Sequence, residues 1–183
     1  IFVKNKLFII FFILMIISCM SIYGYLFYIN YKYPLSYKEI IIENCDKYNF
    51  EYDFIASLIN AESGFDKDSV SNKGAVGLMQ IMPKTAEFVC QKINEKYDYE
   101  KLKEPQFNIK IGTYYLKYLN TKFSDKIVLL CAYNAGEGVV SNWLKNKEYS
   151  KDGKTLNKIP YSSTDAYVEK ILKTQKIYKK KFL

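Results

Sequence analysis

The chain has 183 residues, 49% of them hydrophobic and 25% charged, which is typical of one globular domain with a short additional segment. Its formal net charge of +8 at pH 7 would attract an anionic partner. The lysines are dispersed, however, and no phosphate-binding loop, zinc spacing or base-stacking motif accompanies them, so we predict no nucleic-acid partner. The chain contains no histidine, which excludes histidine-based catalysis and most metal sites. We expect no metal, no cofactor and a monomer.

The N-terminal segment carries no charge between Lys6 and Lys32, where it reads "LFIIFFILMIISCMSIYGYLFYIN". As a helix this stretch would span about 35 Å, enough to cross a bilayer core. We predict that residues 1–33 form an uncleaved anchor that passes once through the cell membrane. A cleaved signal peptide is less favoured, because the apolar run exceeds the roughly 7 to 15 residues of such a core, and lipidation at Cys19 is the second choice. The lysines before the segment favour a cytoplasmic N-terminus, which places the remaining chain outside the membrane.

Residues 34–183 show helical periodicity almost throughout and predict a compact, mostly α-helical domain. Ser36 and Glu39 have the spacing of a capping box that opens a first helix through about residue 48. Asp53 is the expected N-cap of the next helix, "FIASLINAES". Pro83 is expected as the first residue of a third helix. Further helices are predicted over residues 105–123, 125–135, 138–144 and 164–182.

One acid stands out, because Glu62 in "AESGF" falls in the last turn of a predicted helix that Gly64 ends. A carboxylate is disfavoured there by the helix dipole. Residues 66–77 are polar and glycine-punctuated, which predicts a loop. If this loop folds back, it surrounds the acid with apolar side chains and raises the pKa of its carboxyl group; these side chains are Leu78, Met79, Ile81 and Met82. An acid that stays protonated near neutral pH is what protonation of a glycosidic oxygen requires.

Five stretches occur in a fixed order: "AESGF", "SNKGAVGLMQIMPKTA", "NIKIGTYYL", "CAYNAG" and "IPYSSTDAYV". Together they resemble the soluble lytic transglycosylase (SLT) domain, which has a lysozyme-like, goose-lysozyme-like fold, and they extend over about residues 36–180. The resemblance implies an enzyme that acts on peptidoglycan glycan strands, and the predicted anchor would hold it in the membrane on the cell-wall side. Such an enzyme cleaves the β-1,4 bond between N-acetylmuramic acid and N-acetylglucosamine and forms a 1,6-anhydro ring. A single carboxylate, here Glu62, would act first as acid and then as base.

The same matching implies roles for residues of the second and third motifs. Gln80 is expected to face the saccharide cleft and bind a sugar N-acetyl or hydroxyl group; the alternative is that its amide caps a neighbouring backbone group. Ser71 is expected to line the cleft near the acid, and Met82 to pack beside it. Asn108 and Gly112 are expected to serve helix packing.

The resemblance also implies roles for three tyrosines. Tyr133 is expected to offer its hydroxyl group to the acid or to the bound sugar, with core packing as the alternative. Tyr115 is expected in the cleft wall, and Tyr167 matches a tyrosine of the last motif. In that motif the family often has an acid and an arginine, whereas Ser163 and Asp165 stand at or near those places in this chain.

Other functions remain open from the sequence. A hydrolytic muramidase would use Asp66 or Asp68 as a second carboxylate to activate water. A non-catalytic scaffold subunit would bind peptidoglycan without cutting it. An electrostatic adaptor would bind anionic polymers through its lysines and release them at moderate salt.

Overall fold

The computed structural model describes residues 2–182, with the side chains of Lys6 and of residues 8–181. Residues 2–182 contain eight α-helices and one 3-10 helix but no β-strand. The mostly α-helical prediction is therefore confirmed. The helices are α1 (Phe2–Lys32), α2 (Lys38–Tyr48), α3 (Tyr52–Glu62), α4 (Pro83–Lys92), α5 (Pro105–Asn120), α6 (Lys126–Ala135), α7 (Glu137–Lys145) and α8 (Ser162–Phe182), with the 3-10 helix at Glu100–Lys103.

The chain divides between Leu35 and Ser36 into two compact units. The first unit consists mainly of α1, whose segment Phe8–Lys32 is long and apolar enough to cross a membrane, with a mean hydropathy of 2.3. Most large side chains of this segment are exposed, as shown by Phe11 and Leu26. A helix with apolar side chains on all sides has no polar face to turn toward water.

The second unit is built around α3, which packs mainly against α8. Four side chains of α3 are almost fully buried at the spacing that the sequence predicts, namely Phe54, Ile55, Leu58 and Ile59. α8 contributes Val168, Ile171 and Tyr178 to the same core. α5 lies beside α2, α4 and α6. The cysteines of α2, α4 and α6 are buried and free, and they act as small apolar groups.

The two predicted N-caps are wrong. α2 begins at Lys38, after Tyr37 in the left-handed conformation (φ 60°), and no side chain caps it. Ser36 therefore lies outside the cap position. α3 begins one residue before Asp53, because the carbonyl group of Glu51 already accepts hydrogen bonds from the backbone of the first turn. The prediction for α4 is correct, since Pro83 is its first residue.

Candidate active site

Glu62 is the last residue of α3, and its side chain is partly buried. The hydroxyl group of Tyr167, on α8, donates a hydrogen bond of 2.6 Å to Glu62 Oε1. Burial raises the pKa of the Glu62 carboxyl group to about 7, although the bond from Tyr167 and the positive charge of Lys170 both act to lower it. Near neutral pH, Glu62 can therefore serve both as an acid and as a base.

Two tyrosines lie against this acid. The hydroxyl group of Tyr133, on α6, donates to the carbonyl oxygen of Met79 at 2.8 Å, while that of Tyr167 donates to Glu62. Burial, with the negative charge of Glu62 as a second cause, raises the pKa of both hydroxyl groups well above the ordinary value. Both tyrosines therefore remain neutral hydrogen-bond donors over the pH range in which Glu62 titrates.

The loop that follows α3 is fixed to α5 by a fully buried amide. Asn108 Oδ1 accepts a bond of 2.8 Å from the backbone N–H of Met79, and its Nδ2 donates to the carbonyl groups of Val76 and Leu102. Gly112 permits the close approach, because a Cβ at this position would lie 2.4 Å from the Met79 sulfur atom. These contacts confirm the packing role predicted for Asn108 and Gly112.

The second anchor of this loop is at the end of α3. Ser63 Oγ, one residue after the acid, donates to the carbonyl group of Leu78 at 2.8 Å. Leu78, Met79 and Ile81 are buried. The loop thus folds back onto the end of α3, as predicted. Met82, which was expected to pack beside the acid, is instead 41% exposed and lines the cavity described next.

A cavity of about 340 Å³ opens between this loop, α4, α5 and the end of α6. Tyr133 connects the cavity with the acid, because it lines the wall and interacts electrostatically with Glu62. A second cavity, of about 240 Å³, shares Thr85 and Tyr115 with the first. The first is lined by Lys73, Gln80, Ile81, Met82, Thr85, Tyr115, Tyr133, Asn134, Ala135 and Gly136.

The structure brings four predicted site residues to the cavity wall: Gln80, Met82, Tyr115 and Tyr133. Gln80 Nε2 donates to the carbonyl groups of Ser69 and Gly77. The amide thus performs the backbone-capping role that was the alternative for this residue, and its contact with sugar stays a prediction. Gln80 has a left-handed backbone (φ 47°), as expected in so tight a loop.

Two expectations are changed by the structure. Of the two partners expected for the Tyr133 hydroxyl group, Glu62 accepts from Tyr167 instead, and Tyr133 donates to the Met79 carbonyl; its contact with a bound sugar stays a prediction. Ser71 Oγ accepts from the backbone of Ala75 and closes a turn, and Ser71 is not among the residues that line the cavity. Its cleft-lining role stays a prediction without support from this geometry.

The last motif departs from the family pattern at exposed positions. Ser163 and Asp165 are both exposed in the first turn of α8, while Thr164 between them is buried and donates to Asn134 Oδ1 at 2.8 Å. Lys170 was not singled out by the sequence, although it lies one helical turn after Tyr167 and therefore on the same face. Among residues 2–182, no cluster of three or more acidic or cysteine side chains is placed to hold a metal ion.

The fold is lysozyme-like. A family model described as the transglycosylase SLT domain matches residues 39–157, and the chain belongs to this family. It is 33% identical over 153 residues to a soluble lytic murein transglycosylase from Salmonella typhimurium, covering 81% of this chain and 24% of that protein. A membrane-bound lytic murein transglycosylase C from Haemophilus ducreyi is 32% identical over 75% of this chain and 39% of its own length.

The solved structures agree with this assignment. An inactive mutant of lytic transglycosylase Slt from Pseudomonas aeruginosa superposes with a TM-score of 0.75 at 27% identity, covering 84% of this chain and 25% of that one. This chain therefore spans about a quarter of the length of the soluble relatives that it matches.

Proposed function

We propose that this chain is a peptidoglycan lytic transglycosylase in which Glu62 is both the general acid and the general base. The observation that carries the proposal is one partly buried carboxyl group with a pKa of about 7, which accepts a hydrogen bond from Tyr167 and interacts with Tyr133, a residue in the wall of a cavity of about 340 Å³. A pKa near the working pH is optimal for a group that must both donate and accept a proton. The similarity to lytic murein transglycosylases supports the same activity.

The proposed reaction consumes no water. Glu62 gives its proton to the glycosidic oxygen, and the bond between this oxygen and the anomeric carbon of N-acetylmuramic acid breaks. The 6-hydroxyl oxygen of the same sugar then bonds to the anomeric carbon, and its proton passes to the Glu62 carboxylate, which restores the acid. Since Tyr167 occupies Oε1, we assign the transferred proton to Oε2.

The hydrolytic alternative is less well supported by the geometry. Asp66 and Asp68 are both exposed, Asp66 Oδ1 accepts from the backbone of Asp68, and Asp68 pairs with Lys67. Both carboxylates are thus engaged in contacts with their sequence neighbours, and neither is among the charges that shift the pKa of Glu62. A scaffold that only binds peptidoglycan transfers no proton, so it would not need the raised pKa of Glu62.

Mass spectrometry of digested peptidoglycan tests the activity. The unaltered chain should release muropeptides one water lighter than reducing-end products. Glu62→Gln should release none while still sedimenting with purified wall. The matched control is Glu148→Gln, an exposed acid paired only with Lys158 in the described contacts, which should cleave normally. Products that all carry reducing ends would establish hydrolysis instead, and turnover by Glu62→Gln would remove the assigned acid.

We also propose that residues 1–33 anchor the chain in the cell membrane as a single span, with the catalytic domain on the outer side. The apolar segment Phe8–Lys32 supports this, as does similarity to membrane-bound relatives. A cysteine introduced at the exposed Ser162 should react with a membrane-impermeant maleimide in intact spheroplasts. Labelling only after lysis would reverse the orientation. A labelled chain in the soluble fraction would indicate a cleaved signal, and loss of membrane association in Cys19→Ala would indicate lipidation.

A further inference from the structure

α8 contacts the catalytic end of α3 through two side chains one helical turn apart. Tyr167 donates to the carboxyl group of Glu62, and Lys170 Nζ donates to the carbonyl oxygen of Ala61 at 2.9 Å. Ala61 immediately precedes the acid in the chain. The lysine is therefore fixed beside Glu62 by a hydrogen bond, although it lies at the surface.

The end of α3 lacks the usual compensation for its negative dipole. Its last turn contains an acid and no basic residue, whereas a cation at this position stabilises a helix. The carbonyl groups of Ile59 and Asn60 accept from the backbone of Ser63 and Gly64, but that of Ala61 accepts from Lys170. Lys170 supplies from α8 both the hydrogen bond and the positive charge that α3 lacks.

Within the described part of the chain, the groups around Glu62 on the other elements bring no second cation. Tyr133 faces it from α6 and Tyr167 from α8, and both are neutral at the pH of interest. Tyr115, on α5, faces Tyr133 rather than the acid, with ring centroids 5.7 Å apart. Among the described residues, Lys170 is the cation that acts on the charge of Glu62.

We propose that Lys170 is a positioning residue of the transglycosylase reaction, which fixes the end of α3 and stabilises the carboxylate that Glu62 becomes once it has given up its proton. This role rests on the proposed function of Glu62. In the resting acid the lysine contributes only its bond to Ala61. In the second half of the reaction its charge balances the carboxylate while the sugar hydroxyl group approaches.

The test compares Lys170→Met, Lys170→Arg and a control, Lys176→Met, which alters an exposed lysine of the same helix. In the full chain, Lys170→Met should move the alkaline limb of the pH–rate profile upward by about half to one pH unit. It should also lower kcat more than it raises KM. Lys170→Arg should restore the pH–rate profile and kcat of the unaltered chain, and Lys176→Met should not change either. A uniformly lower rate with an unmoved profile would reduce Lys170 to a structural contact and overturn the proposal.

A titration that requires no turnover tests the role of Lys170 separately from the proposed transglycosylase activity. Carbon NMR of 13C-labelled glutamate, with the Glu62 signal assigned from Glu62→Gln, should show the same upward displacement of the titration in Lys170→Met. Added salt should displace the titration of the unaltered chain in the same direction, because an exposed cation is screened. If the titration moves but no anhydro product forms, the proposed function fails. If anhydro product forms but the titration is unmoved, the role of Lys170 fails.

Discussion

Burial of Glu62 has a measurable effect on stability. Its carboxyl group has an ordinary pKa of 4.5 and a pKa of about 7 in the folded chain. Between these values the folded state binds a proton that the unfolded state has released, so stability falls as the pH rises. This contribution is fully present below pH 4.5 and is lost as the pH passes through about 7. At about 1.4 kcal/mol for each pH unit, the loss amounts to about 3 kcal/mol.

Glu62→Gln removes this dependence while keeping the size of the side chain and an oxygen that accepts from Tyr167. We therefore expect the difference in unfolding free energy, variant minus unaltered chain, to grow by about 3 kcal/mol between pH 4 and pH 8. Groups that titrate identically in both proteins cancel in this difference. The variant should be the more stable protein at pH 8, because the unaltered chain must then hold a charge in poorly hydrated surroundings.

Urea unfolding in mild detergent measures this difference, with Trp143 as the reporter. It is the single tryptophan of the chain and only 6% exposed, so its emission changes on unfolding. Glu148→Gln serves as the control, because its exposed carboxyl group should give a difference that does not vary with pH. A flat difference for Glu62→Gln would show that the acid is hydrated and would refute the reasoning from burial. A difference that shrinks with rising pH would refute its sign.

Three further substitutions test the contacts around the acid. Tyr167→Phe removes a hydrogen bond to a charged group, worth about 1.5–3 kcal/mol, so the alkaline limb of the pH–rate profile should move up by about one to two pH units; an unmoved limb would exclude the bond from catalysis. Asn108→Leu should lower the unfolding free energy by about 3 kcal/mol or more, measured in urea, because three backbone groups lose their partner. Gly112→Ala should cost about 1–3 kcal/mol through collision with Met79, and a neutral result would show that the loop shifts freely.

The hydrogen-bond partners around the acid could not be read from the sequence. A tyrosine at position 133 and one at 167 are equally plausible donors when only their motifs are known. The packing of α6 and α8 decides which tyrosine donates to the acid. The donor is Tyr167, which lies 105 residues from Glu62 in the chain. The same holds for Gln80. Its position in an apolar run predicts a polar role for the amide, but the fold of the loop determines that the amide donates to the carbonyl groups of Ser69 and Gly77.

The sequence by itself determined the helices and the position of the acid at the end of one, because these follow from residue spacing within a few turns. It also determined that the loop after Glu62 is apolar enough to bury it. Only the tertiary structure decided the start of α2 at Lys38, where backbone conformation overrides a capping pattern. It also decided the contact of Lys170 with the Ala61 carbonyl group. The physical reason is that a helix distant in the sequence brings its cation to the acid only when the two helices pack together.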